Sequence, residues 1–224
     1  MLVAVHAVAF VAGAAVHAGA RAPRFATTTA REHTVGSAAS VLANMFVVWA
    51  LEQQCSLHDA LAWAPWEWTW SAGAVLALQL ATYVACADVW FYYTHRLLHA
   101  VPSLYQHIHA PHHAHASPTA LDSLNAHPLE HLVSNVGSVL CGPCALHALG
   151  LPQFWAGMLL WVAAATWSTC AAHSGVRTCC GGMVGTHELH DLHHRYLTCN
   201  YGIGFYLMDV WHGTLRAASI PPGK

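Results

Sequence analysis

Charge is what this sequence has least of. Lysine and arginine together number 8 of 224 residues, aspartate and glutamate 10, and charged residues make up only 8%. A soluble domain carries about 25%, so water alone is a poor account of the solvent. The net charge is −2 with histidine neutral, which leaves no basic surface for nucleic acid. The chain has eight cysteines but is neither short nor obviously secreted, so a disulfide framework is not the default. Cys141-Gly142-Pro143-Cys144 has the spacing of a redox motif, yet it lies inside an apolar stretch with no βαβ pattern nearby. It reads instead as a membrane helix kinked by Gly142 and Pro143, with the thiols packed as small apolar groups. No internal repeat, linker or low-complexity tail is visible.

Two things are abundant. Hydrophobic residues make up 56% and the mean hydropathy is +0.40. About 20 mostly apolar residues cross a bilayer as a helix, and five segments are candidates: Leu2–Ala20, Gly36–Leu51, Ser71–Tyr93, Leu132–Leu149 and Gln153–Ala172. The first also resembles a cleaved signal at Ala18-Gly19-Ala20, but it lacks a positive leading region and is expected to be retained. Gly150-Leu151-Pro152 predicts a tight helical hairpin between the last two. The basic residues follow the first, third and fifth segments, as Arg21, Arg24 and Arg31, then Arg96, then Arg177, Arg195, Arg216 and Lys224. By the positive-inside rule those stretches face the cytosol, and the Trp-rich loop with Trp63, Trp66, Trp68 and Trp70 faces the other side. The expected fold is therefore all-α: a polytopic membrane protein with four to five membrane helices, capped by a cytosolic helical histidine-rich domain. Residues 1–70 are expected to form membrane segments and an interfacial loop, and residues 71–224 the domain that holds the histidine-rich segments.

The second abundance is histidine, with 20 copies. Histidine is the commonest metal ligand. His95-Arg96-Leu97-Leu98-His99 puts two imidazoles on one helix face at a spacing of four. Asp88 shares that face and is placed to accept a ligand's second ring N–H. Glu130 and Asp191 are expected in the same supporting role. His109-Ala110-Pro111-His112-His113 and His190-Asp191-Leu192-His193-His194 both read His-x-x-His-His, so on a helix each would converge on one side, with adjacent histidines facing different metals. Pro111 suits the opening of a helix, with His109 approaching from just outside it. His173, at the end of the fifth segment, makes a ninth ligand. A closed structural zinc site takes four ligands, so nine suit two neighbouring metals. Imidazole alone does not choose among Fe, Zn, Cu and Ni. The remaining histidines read as structural; His127 and His187 lie near the clusters without a defined role.

These motifs resemble the fatty acid hydroxylase / sterol desaturase superfamily over about the last three fifths of the chain. The matching text runs from Asp88 to His99, through Tyr105–His113, Ser117-Pro118, His127–Glu130 and His173-Ser174-Gly175, to His190–His194, Asn200-Tyr201-Gly202, Asp209 and Gly213-Thr214. The resemblance implies two Fe ions, with Zn as a substitute in purified protein, O2, and electrons from cytochrome b5. It implies a lipid substrate drawn from the bilayer of the endoplasmic reticulum, and no catalytic side chain beyond the metal ligands. It assigns His95, His99, His109, His113 and His193 to one metal, and His112, His173, His190 and His194 to the other. Some members carry a further histidine where this chain has Thr169. The cytochrome b5 domain fused to some members is absent, so an external donor is implied. Hydroxylation and desaturation stay open, as does the lipid. A metal transporter would place ionisable residues deep in its spans, where this chain offers only His147 and Asp88. An inactive scaffold is the remaining alternative.

Overall fold

The structure, a computed structural model, describes residues 30–54, 57–61, 63–65, 69–115, 118–174 and 186–216, with helical residues in parts of 4–15. Expectations for His6, His17, Trp66, Trp68, Arg21, Arg24, Ser117, Gly175, Arg177 and Lys224, and for the side chains of Arg31, His33, His58, Trp70 and His187, lie outside the described residues. Among the described residues every regular element is helical.

Helix α1 (Ala30–Gln54) is followed by α2 (Trp70–Ala100). The Thr69 hydroxyl caps α2 by accepting from the Ala72 amide at 3.1 Å. Its 31 residues extend about 46 Å at 1.5 Å per residue, well beyond the roughly 30 Å of a hydrocarbon core. His95 and His99 lie on its last two turns, beyond the expected span Ser71–Tyr93. The helix stops at Val101 because Pro102 disfavours helical backbone in the residue before it.

The expected span Leu132–Leu149 is not uniform. It enters as a π-helical stretch, His131–Val136, and continues as α3 (Gly137–Ala148). The expected hairpin follows: Gly150 has φ +64°, its amide donates to His147, and the Leu151 amide donates back to Leu146. This is the paired closure that a left-handed glycine permits at a helix end. Helix α4 (Trp155–His173) then returns.

Among the described residues, two helices are long and apolar enough to cross a membrane, Ser71–Ala100 and Trp155–His173. Helix α1 begins Ala-Arg-Glu-His and ends Glu-Gln-Gln, and is not among them. Helices α2, α3 and α4 meet around Tyr83, Leu146, Met158 and Val162. The approach is close: a Cβ on Gly142 would lie 2.7 Å from the Tyr83 Cα. A polar clamp locks one end. Gln79 donates to the Phe154 carbonyl (2.9 Å) and accepts from its amide (2.9 Å), while the Tyr83 hydroxyl donates to Gln153 (2.6 Å). Helices α5 (Thr186–Tyr196) and α6 (Leu207–Trp211) complete the fold at the other end of α2.

Candidate metal centre

Nine imidazoles reach one place from four parts of the chain. The end of α2 supplies His95 and His99, the end of α4 supplies His173, and one face of α5 supplies His190, His193 and His194. The remaining three come from a segment that departs from the expected helix. A π-helical turn, Tyr105–His109, runs into Pro111, which opens a single 3-10 turn, His112–Ala114. Proline lacks the amide that a continuous helix needs, so the break falls between His109 and His112.

The rings sort into two groups. One ring nitrogen each from His95, His99, His109, His113 and His193 lies within 4.8 Å of the others, and likewise for His112, His173, His190 and His194. Adjacent residues split between the groups: His112 from His113, and His193 from His194. The groups touch, with the His113 and His194 ring centroids 4.5 Å apart.

The second nitrogens explain what the first ones do. Nδ1 of His95 faces the Tyr201 carbonyl at 2.6 Å, and that of His193 faces the Cys199 carbonyl at 2.8 Å. His112, His173 and His194 face the carbonyls of Asn125 (3.2 Å), Thr169 (2.8 Å) and His115 (3.2 Å). A carbonyl only accepts, so each of these Nδ1 atoms holds the single proton of a neutral imidazole and Nε2 is a bare lone pair. Yet Nε2 of His112 lies 3.3 Å from that of His173. The Nε2 of His95 lies 3.0 Å from that of His109, whose Nδ1 is 2.8 Å from the Glu130 carboxylate. Converging lone pairs repel one another unless a cation sits among them. The donor set therefore fits one metal ion per group.

Burial keeps the rings neutral, which metal ligation requires. It lowers His109 to about 3. His112, His113, His190, His193 and His194 are also depressed, first by burial and then by neighbouring histidines. Glu130 is pushed up to about 7 by burial, against the pull of His112.

The supporting residues divide. Glu130 meets Nδ1 of His109 at 2.8 Å. Asp88, expected to accept a ligand's second ring N–H, instead accepts the Met208 amide on Oδ2 at 3.1 Å at the start of α6, while Nδ1 of His95 on the same helix faces the Tyr201 carbonyl. Asp191 is half-buried on α5, next to His190. His127 caps a helical turn by accepting from the Leu129 amide. His115, buried beside Asp122 at 3.3 Å, contributes its carbonyl and not its ring to the group around His194.

The loop after α5 carries what spacing could not supply. Buried Asp209 accepts from the amides of Tyr201 (2.9 Å) and Gly202 (2.7 Å) and from the Thr214 hydroxyl (2.7 Å). Asn200 ties this loop to α5 by donating to the Leu189 carbonyl. Its only trace in the sequence is the text Asn200-Tyr201-Gly202, Asp209 and Gly213-Thr214.

A cavity of about 580 Å³ opens beside the rings. Its walls come from α1, α2, α3, α4 and the loop at Ile203–Phe205 and are mostly apolar. Two lining residues back onto the histidines: the Phe91 ring lies 5.0 Å from the His95 ring, tilted by 55°, and the Thr169 carbonyl receives His173.

Comparison with known proteins agrees with this architecture. Residues 80–214 match the model of the fatty acid hydroxylase family. The human fatty acid hydroxylase domain-containing protein 2 is 36% identical over 61% of this chain and 38% of its own length. A very-long-chain aldehyde decarbonylase of Oryza sativa subsp. indica is 35% identical, over 62% of this chain and 53% of its own. A Delta(7)-sterol 5(6)-desaturase of Gibberella zeae is 32% identical, over 67% and 44%. The chain thus spans about half or less of these relatives. No solved structure matches. With the family model covering both histidine groups and the loop that supports them, the chain belongs to the fatty acid hydroxylase family.

Proposed function

We propose that this protein is a membrane oxidoreductase that uses O2 and external electrons to hydroxylate or desaturate a lipid. The observation that carries the reading is the convergence of nine Nε2 or equivalent ring nitrogens in two touching groups, with backbone carbonyls fixing the tautomers. His95, His99, His109, His113 and His193 would hold one iron, and His112, His173, His190 and His194 the other. An unactivated C–H bond yields to no acid or base among the side chains, and the two irons would supply the oxygen chemistry that cleaves it.

The chain's own contribution is placement. Neutral rings keep their lone pairs for the metals, and the carbonyls of Tyr201, Cys199 and Thr169 hold those rings in orientation. The apolar cavity admits a hydrophobic substrate and excludes water from the reacting carbon. Hydroxylation takes up two electrons and two protons with each O2, giving the alcohol and one water. We assign the electrons to cytochrome b5 or a similar donor, the membrane to the endoplasmic reticulum, and the histidine groups to its cytosolic face. The names of the relatives, a sterol desaturase and an aldehyde decarbonylase among them, support lipid chemistry and leave the particular lipid open.

The test is lipid profiling of cells expressing the wild type, His112→Ala or His194→Ala. Each variant is expected to remain in the membrane fraction and to lose the oxidised product. Undiminished product from both variants sinks the assignment.

A further inference from the structure

The ring groups are bordered by an aromatic chain that the proposed chemistry leaves unused. The Tyr201 ring lies 5.4 Å from that of His99 and 5.6 Å from that of His193. Tyr92, on α2, meets Tyr201 edge-on at 6.0 Å. Tyr92 is fully buried, stacks on His212 at 5.1 Å and meets Tyr93 at 5.3 Å. His212 and Tyr93 are exposed, and the Tyr93 hydroxyl lies 2.8 Å from the His212 ring. A continuous path of rings thus runs from the group around His95 to the surface.

The second observation is where one proton points. The Arg96 guanidinium donates to the Tyr92 oxygen at 2.8 Å. Thr214 has a single hydroxyl hydrogen, which it gives to Asp209 Oδ1 at 2.7 Å, because an ionised carboxylate only accepts. In the Tyr92–Thr214 contact of 3.2 Å the phenol is therefore the donor. Tyr92 O–H, Thr214 Oγ1 and the buried Asp209 Oδ1 form a directed relay. Packing accounts for the rings, but it does not call for a buried phenol aimed through a hydroxyl at a carboxylate. A phenol that loses an electron becomes a strong acid, so a tyrosine is oxidised far more readily where its proton has a path.

We propose that Tyr92 is a redox-active tyrosine that drains oxidising equivalents from the metal centre when no substrate takes them. The inference rests on reading the rings as an oxygen-activating site. In a productive cycle the external donor and the substrate C–H bond share the electrons that carry O2 to water. With no lipid in the cavity, the substrate's share has to come from the protein. Tyr92 gives up one electron, by way of Tyr201, to the oxidised metals around His95. Its O–H bond breaks, the proton passes to Thr214 Oγ1, and the proton of Thr214 passes to Asp209 Oδ1. The external donor restores the phenol with one electron, arriving through Tyr93 and His212, as Asp209 returns its proton through Thr214. Without this outlet the ligating imidazoles are the nearest oxidisable groups.

The test is to expose the full-length protein, iron-loaded and dithionite-reduced in dodecyl maltoside with no lipid added, to O2. Samples frozen at successive times are read by electron paramagnetic resonance. Wild type is expected to give a tyrosyl radical signal. Tyr92→Phe should lose it, and Thr214→Val, which removes the proton's first stop, should diminish it. Tyr105→Phe should keep it, although the Tyr105 ring lies only 5.5 Å from that of His99. A ring-fluorinated tyrosine placed at position 92 keeps the hydroxyl and the shape, and fluorine splitting enters the signal only if the radical resides on that ring. This arm decides even if Tyr92→Phe fails to fold. Over repeated cycles of reduction and O2, Tyr92→Phe should also lose iron and accumulate oxidised His95, His99 and His193, read by mass spectrometry, faster than wild type. O2 uptake without a tyrosyl signal, a signal without fluorine splitting, or an undiminished signal in Tyr92→Phe or Thr214→Val overturns the Tyr92 proposal alone. No O2 uptake by the reduced iron protein overturns the oxygen-activating reading and this proposal with it. A radical on Tyr92 in a protein that oxidises no lipid in cells would count against the hydroxylase or desaturase reading and leave the tyrosine assignment standing.

Discussion

Asp209 touches no imidazole, yet it sets the position of at least one. Its carboxylate gathers the amides of Tyr201 and Gly202 and the Thr214 hydroxyl, and so presents the Tyr201 carbonyl to His95. Removing it frees the loop that also delivers the Cys199 carbonyl to His193. Losing a group that orients a metal ligand typically costs about 10- to 100-fold in affinity, and Asp209→Ala should weaken metal binding on that scale. Competition with a graded series of chelators measures it; wild-type affinity in Asp209→Ala would show that the loop positions nothing. At this scale the sequence was informative about side chains and silent about carbonyls. Imidazole spacings place nine rings, but five of their partners are backbone oxygens, which every residue carries. Asp88 shows the limit of a helical-face argument: it shares a face with His95, but the amide of Met208, 120 residues later, takes its carboxylate first.

At the scale of elements, glycine decides how closely the helices approach. A Cβ on Gly142 would meet the Tyr83 backbone at 2.7 Å and the Tyr83 ring at 2.8 Å, and a backbone atom cannot swing aside. Gly142→Val is therefore expected to destabilise the α2–α3 packing by about 1–3 kcal/mol, the usual cost of overpacking. Thermal unfolding in detergent checks this, and the folded fraction should keep its metal. An unshifted midpoint would mean that the two helices separate at little cost. The hairpin at Gly150 was readable because glycine and proline announce turns. The π-helical stretches at Tyr105–His109 and His131–Val136 were not, because hydropathy registers side chains and carries no signal of backbone register. Leu197 and Tyr206 take positive φ at 62° and 55°, a conformation that bulky residues seldom adopt and that no local preference foretells. Both flank the loop that supports the rings.

Over the whole molecule, stability is divided between two ends of α2. One end is locked by helix packing and by the clamp of Gln79, Tyr83 and Gln153, none of which involves a metal. At the other end, the nine rings join the segments around 105–125 and 186–216 to α2 and α4, beside the packing of Ala120 and Leu124 on Cys170 and the hydrogen bonds of Thr214 to Tyr92 and of His212 to Tyr93. Without cations, those rings press bare lone pairs together. A ligand that binds only the folded state adds RT ln(1 + [L]/Kd), about 2.7 kcal/mol at a hundredfold excess over Kd, and here that gain should fall mainly on the ring-bearing end. Stripping the protein with a strong chelator should therefore lower the thermal midpoint and loosen the molecule unevenly. Hydrogen exchange followed by mass spectrometry should show protection lost in 105–125 and 186–216 and retained in 71–93 and 137–170. Regions can open independently when few contacts couple them, and the clamp and the rings sit at opposite ends of a 31-residue helix. Uniform loss of protection along the chain would mean that the metal centre and the helical core unfold as one unit. No change at all would mean that the nine imidazoles hold their places without a metal, and the lone-pair argument for the centre would fail with it.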